Sequence, residues 1–175
     1  MKSRLSQTAR DMLLSIGAVI ALVALIALFT YKPADEKIRV VDYQPTVAAA
    51  RSTGAFDVAV PTGEAKDWKA TSVRYVPSAA DPKIATWHLG FITPTNQYAA
   101  LEQTNGTDPN FIKESTAKGM PDGEQVIDGQ KWLRYYSSDT GHRSLVSSKN
   151  GITTIVTGTL TYDELVAMAT SLRTS

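Results

Sequence analysis

The N-terminal part of the chain separates into a basic leader and a long apolar run. Residues 12–29 read MLLSIGAVIALVALIALF, which is 18 residues without a charge and with Ser15 as the one appreciably polar side chain. At about 1.5 Å per residue, a helix of this length reaches roughly 27 Å, close to the ~30 Å hydrocarbon core of a bilayer. The pattern predicts a transmembrane helix over 12–31, with Thr30 and Tyr31 in the membrane interface.

Two alternatives to an uncleaved anchor have weaker support. A buried core helix usually carries a polar stripe, which this run lacks. A cleaved signal peptide has an apolar region of about 7 to 15 residues followed by small residues, whereas this run is longer and ends in LFTY. The leader with Lys2, Arg4 and Arg10 has the form of a secretion signal, although basic residues also follow the span. We therefore expect residues 1–11 in the cytoplasm and the C-terminal part outside the cytoplasm.

The segment after the span predicts a tether and one soluble domain. Residues 32–37 (KPADEK) are polar and contain a proline, as a short linker does. Residues 38–175 then form the extracytoplasmic domain, which is long enough to bury one core without disulfides or metals.

Alternating apolar positions in this domain predict mainly strands. Trp87, Leu89 and Phe91, for example, share one face of an extended segment. The predicted strands are 38–41, 56–60, 68–76, 86–93, 97–104, 125–127, 130–137, 143–149 and 152–160. The predicted helices are 44–52, 109–117 and 162–172.

Three local signals fix the ends of these elements. Asn150-Gly151 favours a type I′ hairpin turn, because both residues tolerate positive φ. Asp108 and Pro109 are suited to the N-cap and first position of a helix. Thr161 with Glu164 forms a capping box before the last helix.

A constant offset of 54 residues relates parts of the two halves of the domain. It maps His88 onto His142, Asn96 onto Asn150, Tyr98 onto Ile152, Leu101 onto Ile155, Phe111 onto Leu165 and Ile112 onto Val166. A true duplication predicts two β-β-β-α repeats, an antiparallel sheet and both helices on one face, which is a two-layer α+β fold. Strand periodicity alone also produces such matches, so an α+β domain without duplication is the alternative.

Charge and cysteine content exclude several functions. Lys and Arg number 18 and Asp and Glu 17, a net charge of +1 that gives no reason to expect nucleic acid as a partner. Since the chain has no cysteine, thiol nucleophiles, disulfides and cysteine-ligated zinc are excluded.

Several short segments are distinctive when taken together. They are the basic leader with one span, Trp68, SVR at 72–74, TWHLGF at 86–91, QY at 97–98, EQ at 102–103, Trp132, TG at 157–158, EL at 164–165 and SL at 171–172. On these segments the chain resembles the DUF4245 family, uncharacterised actinobacterial single-pass membrane proteins. The resemblance implies an N-terminal anchor and an extracytoplasmic domain in a bacterial cell envelope. It supplies no catalytic or binding residues.

No motif for catalysis, metal or cofactor binding stands out. His88 and His142 are the only histidines, and they lack the ligand spacing of a zinc site. The serines are not in a G-x-S-x-G turn, and the glycines form no phosphate-binding loop. We therefore predict no catalytic residues, no metal and no cofactor.

Aromatic residues on the predicted strands are the main candidates for binding. Most of them must fill the core, but an aromatic sheet face left open would suit a peptide, a glycan or a lipid. Tyr135 and Tyr136 point to opposite faces of one strand. With the two histidines, the candidate binding residues are Trp87, His88, Tyr135, Tyr136 and His142.

The sequence favours a non-enzymatic binding module, tethered to the membrane, for an envelope protein or another envelope component. One alternative is an envelope enzyme with a site assembled from His88, His142, Asp139 and Arg143. Another is a structural subunit of a membrane complex, whose span packs against a second helix through Ser15 and Gly17.

Overall fold

A computed structural model of the protein describes residues 3–30 and 38–174, with side-chain detail for 12–26 and 38–174 except Glu64 and Lys66. The chain divides into two units, Met1–Lys37 and Ile38–Ser175. The predicted tether at 32–37 lies outside the described residues, as does the predicted interfacial Tyr31.

The first unit contains one long helix, α1 (Ser3–Thr30). Its described side chains are solvent-exposed all round, as Leu13 at 69% and Ile20 at 62% illustrate. Within the described residues, no helix has the length and apolar character needed to cross a membrane.

The described residues of the second unit, 38–174, form three α-helices, nine strands and a 3-10 helix at Gly63–Asp67. The helices are α2 (Gln44–Thr53), α3 (Pro109–Ser115) and α4 (Tyr162–Ser171). The strands are β1 (Ala59–Pro61), β2 (Lys69–Pro77), β3 (Ala85–Ile92), β4 (Tyr98–Thr104), β5 (Met120–Ile127), β6 (Gln130–Tyr136), β7 (Arg143–Lys149), β8 (Ile152–Gly158) and β9 (Leu172–Thr174).

Seven strands form one antiparallel sheet in the order β2-β3-β4-β8-β7-β6-β5, and β1 pairs with β9 in a separate ribbon. The predicted α+β class with an antiparallel sheet is therefore confirmed. The strands β2, β3 and β4 run as one meander, and β5 to β8 run as a second. The two meanders meet where β4 pairs with β8, with Leu101 opposite Val156.

The main core lies on one face of the sheet, beneath α2 and α4. Trp87, Leu89 and Phe91 of β3 point to this face and are fully buried. Leu165 and Met168 of α4 join them in one apolar cluster, with Val47 and Ala50 of α2 among the other members. Alternation along β3 explains why a single strand supplies three large side chains to this layer.

The placement of α3 corrects the prediction that both helices cover one face. His88, which alternates with the buried Trp87 and Leu89, points to the opposite face, and Phe111 and Glu114 of α3 lie beside it in a shared cleft. A two-fold axis between antiparallel β4 and β8 would put both helices on the same side. The helices are thus not related by that symmetry, and the sheet is covered on both faces rather than in two layers.

Most predicted elements are confirmed to within two residues, and the exceptions are at the start and middle of the domain. Residues 38–41 form no strand, although the Val41 amide donates to the Ala70 carbonyl. The predicted strand at 56–60 begins only at Ala59, and β5 starts at Met120, five residues before the strand predicted at 125–127. The C-terminal strand β9 was not predicted.

Two turn and cap signals in the second half are confirmed. Asn150 and Gly151 have φ of 52° and 76°, as the type I′ turn between β7 and β8 requires. The capping box of α4 is present, because the Thr161 hydroxyl accepts from the Glu164 amide and the Glu164 carboxylate accepts from the Thr161 amide.

We expect Gly158→Ala to be strongly destabilising, because a Cβ at this position would collide with the Tyr98 carbonyl oxygen and lie 2.9 Å from Ala99 Cα. Both contacts are to the backbone of β4, so β4 and β8 would have to separate. We expect the free energy of unfolding to fall by about 3 kcal/mol or more in chemical denaturation. In Gly54→Ala, the added methyl group meets no atom within 4 Å and only the positive φ of 67° opposes it, so we expect a loss of about 1 kcal/mol. Equal losses in the two variants would contradict the packing argument.

The α4 cap predicts a stability term that depends on pH. Hydrogen bonds from Thr161 hold the pKa of Glu164 below its ordinary value of 4.5. A lowered pKa in the folded state stabilises the protein above pH 4.5, and this contribution is lost as pH falls through the folded value. We expect Glu164→Gln to cost about 0.5 kcal/mol at pH 7, since the group is exposed and screened, and progressively less as the pH is lowered below 4.5. Thermal unfolding over a series of pH values measures this, with Asp139→Asn as a control of smaller effect.

Candidate functional site

A cleft of the second unit opens on the core face of the sheet, at the end that α4 leaves uncovered. It has a volume of about 620 Å³. Its walls come from the ends of β4, β6, β7 and β8, and from the β1–β9 ribbon with the end of α4. The lining residues are Phe56, Asp57, Ala59, Gln103, Gln130, Trp132, Ser147, Lys149, Asn150, Ile152, Thr154, Ala169, Leu172 and Thr174. We call this the Trp132 cleft.

Strand register brings the polar lining of the Trp132 cleft together. Gln103 of β4 lies opposite Thr154 of β8, and Thr154 lies opposite Ser147 of β7, so three polar residues form a row across the sheet. The row lies on the core face, in the same alternation as Leu101 and Leu145. At the next position along the sheet, Trp132 is 7% exposed and belongs to the apolar core cluster.

Hydrogen bonds hold these polar side chains in place. The Gln103 side chain accepts from the Ala59 amide at 2.7 Å and donates to the Thr154 hydroxyl at 3.1 Å. The Gln130 side chain donates to the Ser147 hydroxyl at 3.0 Å. An ordered amide and hydroxyl wall beside an indole ring is suited to a ligand that has both an apolar face and hydroxyl or amide groups.

The opposite face of the sheet carries a second site, in which three side chains are linked in a row. His88 Nε2 lies 2.7 Å from Ser72 Oγ, and His88 Nδ1 lies 2.6 Å from Glu102 Oε1. The side chains of His88 and Glu102 are 19% and 17% exposed. The three residues come from the neighbouring strands β2, β3 and β4.

A β-bulge puts Ser72 on this face. Ala70 pairs with Phe91 and Ser72 pairs with Gly90, so Thr71 is an extra residue in β2. In a regular strand without this bulge, alternation would point Ser72 to the same side as Ala70, into the main core. The bulge therefore redirects the serine towards His88.

Gly90 makes room for the cluster. A Cβ at this position would overlap the Ser72 hydroxyl and would lie 3.4 Å from Tyr98 Oη. The Tyr98 hydroxyl thus approaches the same point as the Ser72 hydroxyl. Burial, and secondarily the charge of Glu102, raises the pKa of Tyr98, so its phenol remains protonated at neutral pH.

Trp87, one of the candidate binding residues, lies in the core. Its side chain is 0% exposed, and its indole N–H donates to the Ala59 carbonyl at 3.1 Å. Alternation predicts one buried face of β3 but does not say which aromatic residues stay at the surface.

The two histidines lie on either side of Tyr98. The Tyr98 ring lies 6.0 Å from the His142 ring in an edge-on arrangement, while its hydroxyl lies on the His88 side. Nδ1 of His142 is buried, and none of the described residues supplies a hydrogen-bond partner for it.

Asp139 is exposed and accepts from Ser138, and Arg143 points to the core face towards Tyr136. The four residues of the predicted enzyme site therefore do not converge.

Tyr135 and Tyr136 point to opposite faces, as alternation requires. Tyr136 is 40% exposed and contacts Arg143, whose guanidinium lies 5.4 Å from the ring centroid. Tyr135 pairs with Ser144 and its carbonyl accepts from the Tyr162 hydroxyl. Neither tyrosine lines the Trp132 cleft. Within the described ranges, no three histidine, aspartate or glutamate side chains converge to hold a metal ion.

Sequence reasoning named His88 as a candidate but missed the residues that surround it and those that form the Trp132 cleft. Ser72 and Glu102 lie in two of the distinctive segments, SVR and EQ, but in no catalytic motif, and only the register of three strands brings them to His88. One signal was available for Glu102, because a carboxylate opposite a histidine on neighbouring predicted strands is a favourable cross-strand pair. Nothing in the sequence marked the bulge at Thr71 or the open end of the core face at Trp132.

Fold and clefts together define an α+β domain with an open cleft on each face of one antiparallel sheet. The chain belongs to the family described as "Protein of unknown function (DUF4245)", whose model matches residues 4–172. The family resemblance predicted from the sequence is thus confirmed over nearly the whole chain. No curated protein matches the chain.

Proposed function

We propose that the protein is a membrane-anchored, extracytoplasmic binding module, and that its ligand occupies the Trp132 cleft. The observation that carries the proposal is a cleft of about 620 Å³ in which a tryptophan lies beside a hydrogen-bonded row of amide and hydroxyl groups. Clefts of about 300–1,000 Å³ with an apolar lining and a few fixed polar groups are the usual small-ligand sites of proteins.

The lining favours a sugar unit of an envelope glycan over the other envelope ligands. A sugar ring has an apolar face that can lie on an indole and hydroxyl groups that exchange hydrogen bonds with amides and hydroxyls. Gln103, Gln130 and Ser147 supply such groups, already oriented by their own hydrogen bonds. A ligand that binds pre-oriented groups loses less conformational freedom, which favours affinity.

The charges at the rim favour a neutral ligand. Asp57 and Lys149 both line the cleft, and they are of opposite sign. A strongly acidic or strongly basic ligand would therefore gain from one rim residue and lose from the other. A glycan carrying N-acetyl groups meets this condition without a net charge.

The anchor is proposed from the sequence. The uncharged run over 12–29 is long enough for a bilayer core, and the described side chains of α1, residues 12–26, are apolar and solvent-exposed over most of their length. The basic leader supports a cytoplasmic N-terminus and an extracytoplasmic second unit. A partner helix packing at Gly17 is the structural-subunit alternative, supported by the open space at that glycine.

The binding proposal predicts that Trp132 reports on ligand. We would titrate the full-length protein in detergent with soluble N-acetylglucosamine oligomers, following tryptophan fluorescence in the wild type and the heat of binding by calorimetry in the wild type and each variant. We expect a saturable change in the wild type, and we expect Trp132→Phe to weaken binding at least tenfold, about 1.4 kcal/mol, because the indole surface is reduced.

The matched control is Trp68→Phe. Trp68 packs edge-on against Phe91 and lies outside the Trp132 cleft, so this variant should bind like the wild type. A wild type that shows no saturable change, or a Trp132→Phe variant that binds as tightly as Trp68→Phe, would contradict the glycan site.

The anchor proposal is tested with the cysteine-free chain. In Ser138→Cys the new thiol is the only one in the protein and lies in an exposed turn. We expect a membrane-impermeant maleimide to label this variant in intact cells, since the second unit is proposed to lie outside the cytoplasm. Labelling that occurs only after lysis would place the domain in the cytoplasm and remove the proposed location.

A further inference from the structure

We propose that Ser72 is the nucleophile of an acyl-transfer site, with His88 as its general base and Glu102 as the positioning residue. The substrate class is a carboxylic ester that carries no negative charge near its carbonyl group. This site lies on the opposite face of the sheet from the Trp132 cleft and does not depend on the binding function proposed for that cleft.

The direction of the hydrogen bonds follows from the carboxylate. An ionised Glu102 only accepts, so the His88 nitrogen beside it, Nδ1, must carry the proton. In the neutral imidazole, Nε2 then has a free lone pair and accepts the hydrogen bond from the Ser72 hydroxyl. This is the tautomer in which a histidine can remove a proton from a serine.

The distances fit the same roles. A nucleophile and its base act within about 2.6–3.2 Å, and so do the base and the group that orients it. The two contacts at 2.7 Å and 2.6 Å are both in this range. Because His88 and Glu102 are mostly buried, their interaction is screened less than a surface pair would be.

Tyr98 supplies a donor for the charge that forms on the substrate. Its hydroxyl lies 3.4 Å from the point above Gly90 that the Ser72 hydroxyl also approaches. A protonated phenol at this place can donate to the oxygen of a tetrahedral intermediate. The raised pKa of Tyr98 keeps that proton in place at neutral pH.

A cleft beside His88 and Glu102 limits the substrate class. It has a volume of about 550 Å³, and both His88 and Glu102 line it. Its other charged lining residues are Arg74, Asp108 and Glu114, so carboxylates outnumber the one guanidinium. A neutral or cationic ester is therefore accepted, and an anionic ester is repelled.

The reaction is balanced with water as the second reactant. Ser72 Oγ bonds to the ester carbonyl carbon while its proton passes to His88 Nε2. The tetrahedral intermediate then breaks its bond to the leaving alcohol, which takes the proton from His88. Water attacks the acyl-serine in the same way, so that the carboxylic acid is released and Ser72 and His88 return to their first state.

The test uses the full-length protein in detergent with p-nitrophenyl acetate and a fluorophosphonate probe. We expect the probe to modify Ser72, located by mass spectrometry of peptides, and we expect release of p-nitrophenol. Ser72→Ala should abolish both signals. His88→Gln and Glu102→Gln should each slow acylation at least tenfold, because one removes the base and the other removes the charge that fixes its tautomer.

Ser148→Ala is the matched control, since Ser148 is exposed and bonded to Thr153 rather than to a histidine. It should react like the wild type. Thermal unfolding of each variant identifies those that fail to fold. The folded wild type alone already shows whether Ser72 reacts with the probe. No modification of Ser72 in folded wild-type protein would overturn the proposal. Modification at an unchanged rate in folded His88→Gln and Glu102→Gln would overturn it as well, because the serine would then not be activated.

The substrate class has its own comparison. The p-nitrophenyl ester of succinate carries a free carboxylate and should acylate Ser72 more slowly than the neutral acetate. Equal or faster acylation by the anionic ester would overturn the assignment of charge selectivity. The Trp132→Phe variant leaves this site intact, so it should acylate Ser72 at the wild-type rate. Its acylation rate therefore tests the acyl-transfer proposal separately from the glycan proposal, which depends on Trp132.

Discussion

The pairing of β4 with β8 is the contact on which the second unit depends. It joins two meanders that are each continuous in sequence, and it puts Leu101 opposite Val156, both fully buried. The strands approach closely at Gly158, where the Tyr98 carbonyl occupies the space of a side chain. Without this pairing, the two meanders would leave two open strand edges where one continuous sheet now exists. The Trp132 cleft depends on this register, because Gln103 of β4 lies opposite Thr154 of β8. Ser72, His88 and Glu102 are instead brought together by the pairing of β2, β3 and β4.

Alternation along the strands then divides the chemistry between two faces. Trp87 and Leu89 fill the core, while His88 between them points to the other side. The same rule puts Glu102 beside His88 and puts its neighbour Gln103 in the Trp132 cleft. Ser72 reaches His88 only because the bulge at Thr71 interrupts alternation in β2. Regular alternation thus places the polar residues of the Trp132 cleft, whereas the Ser72–His88–Glu102 cluster also requires one interruption of alternation, at the bulge in β2.

The parts of the fold that local chemistry determines could be predicted from the sequence. Asn150-Gly151 and the Thr161–Glu164 cap each act within four residues, and both are observed. The side of the sheet on which α3 packs depends on the chain path after β4, which no local signal encodes. Trp87 was named as a candidate binding residue and is fully buried, because composition cannot distinguish a core aromatic residue from an exposed one. The sites were missed for a related reason, since Ser72, His88 and Glu102 are separated by at least 14 residues along the chain.

The adjacent residues Glu102 and Gln103 link the two sites physically. One contacts His88 on one face, and the other bonds to Ala59 and Thr154 on the opposite face. A displacement of β4 that lengthened the Gln103 contacts would also move Glu102 relative to His88, since a strand shifts as a unit within its ladder. The Ser72–His88 contact is less exposed to such a shift, because it joins β2 and β3 and includes no residue of β4. The Glu102–His88 bond, which sets the histidine tautomer, is therefore the part of the polar cluster that a displacement of β4 would affect first.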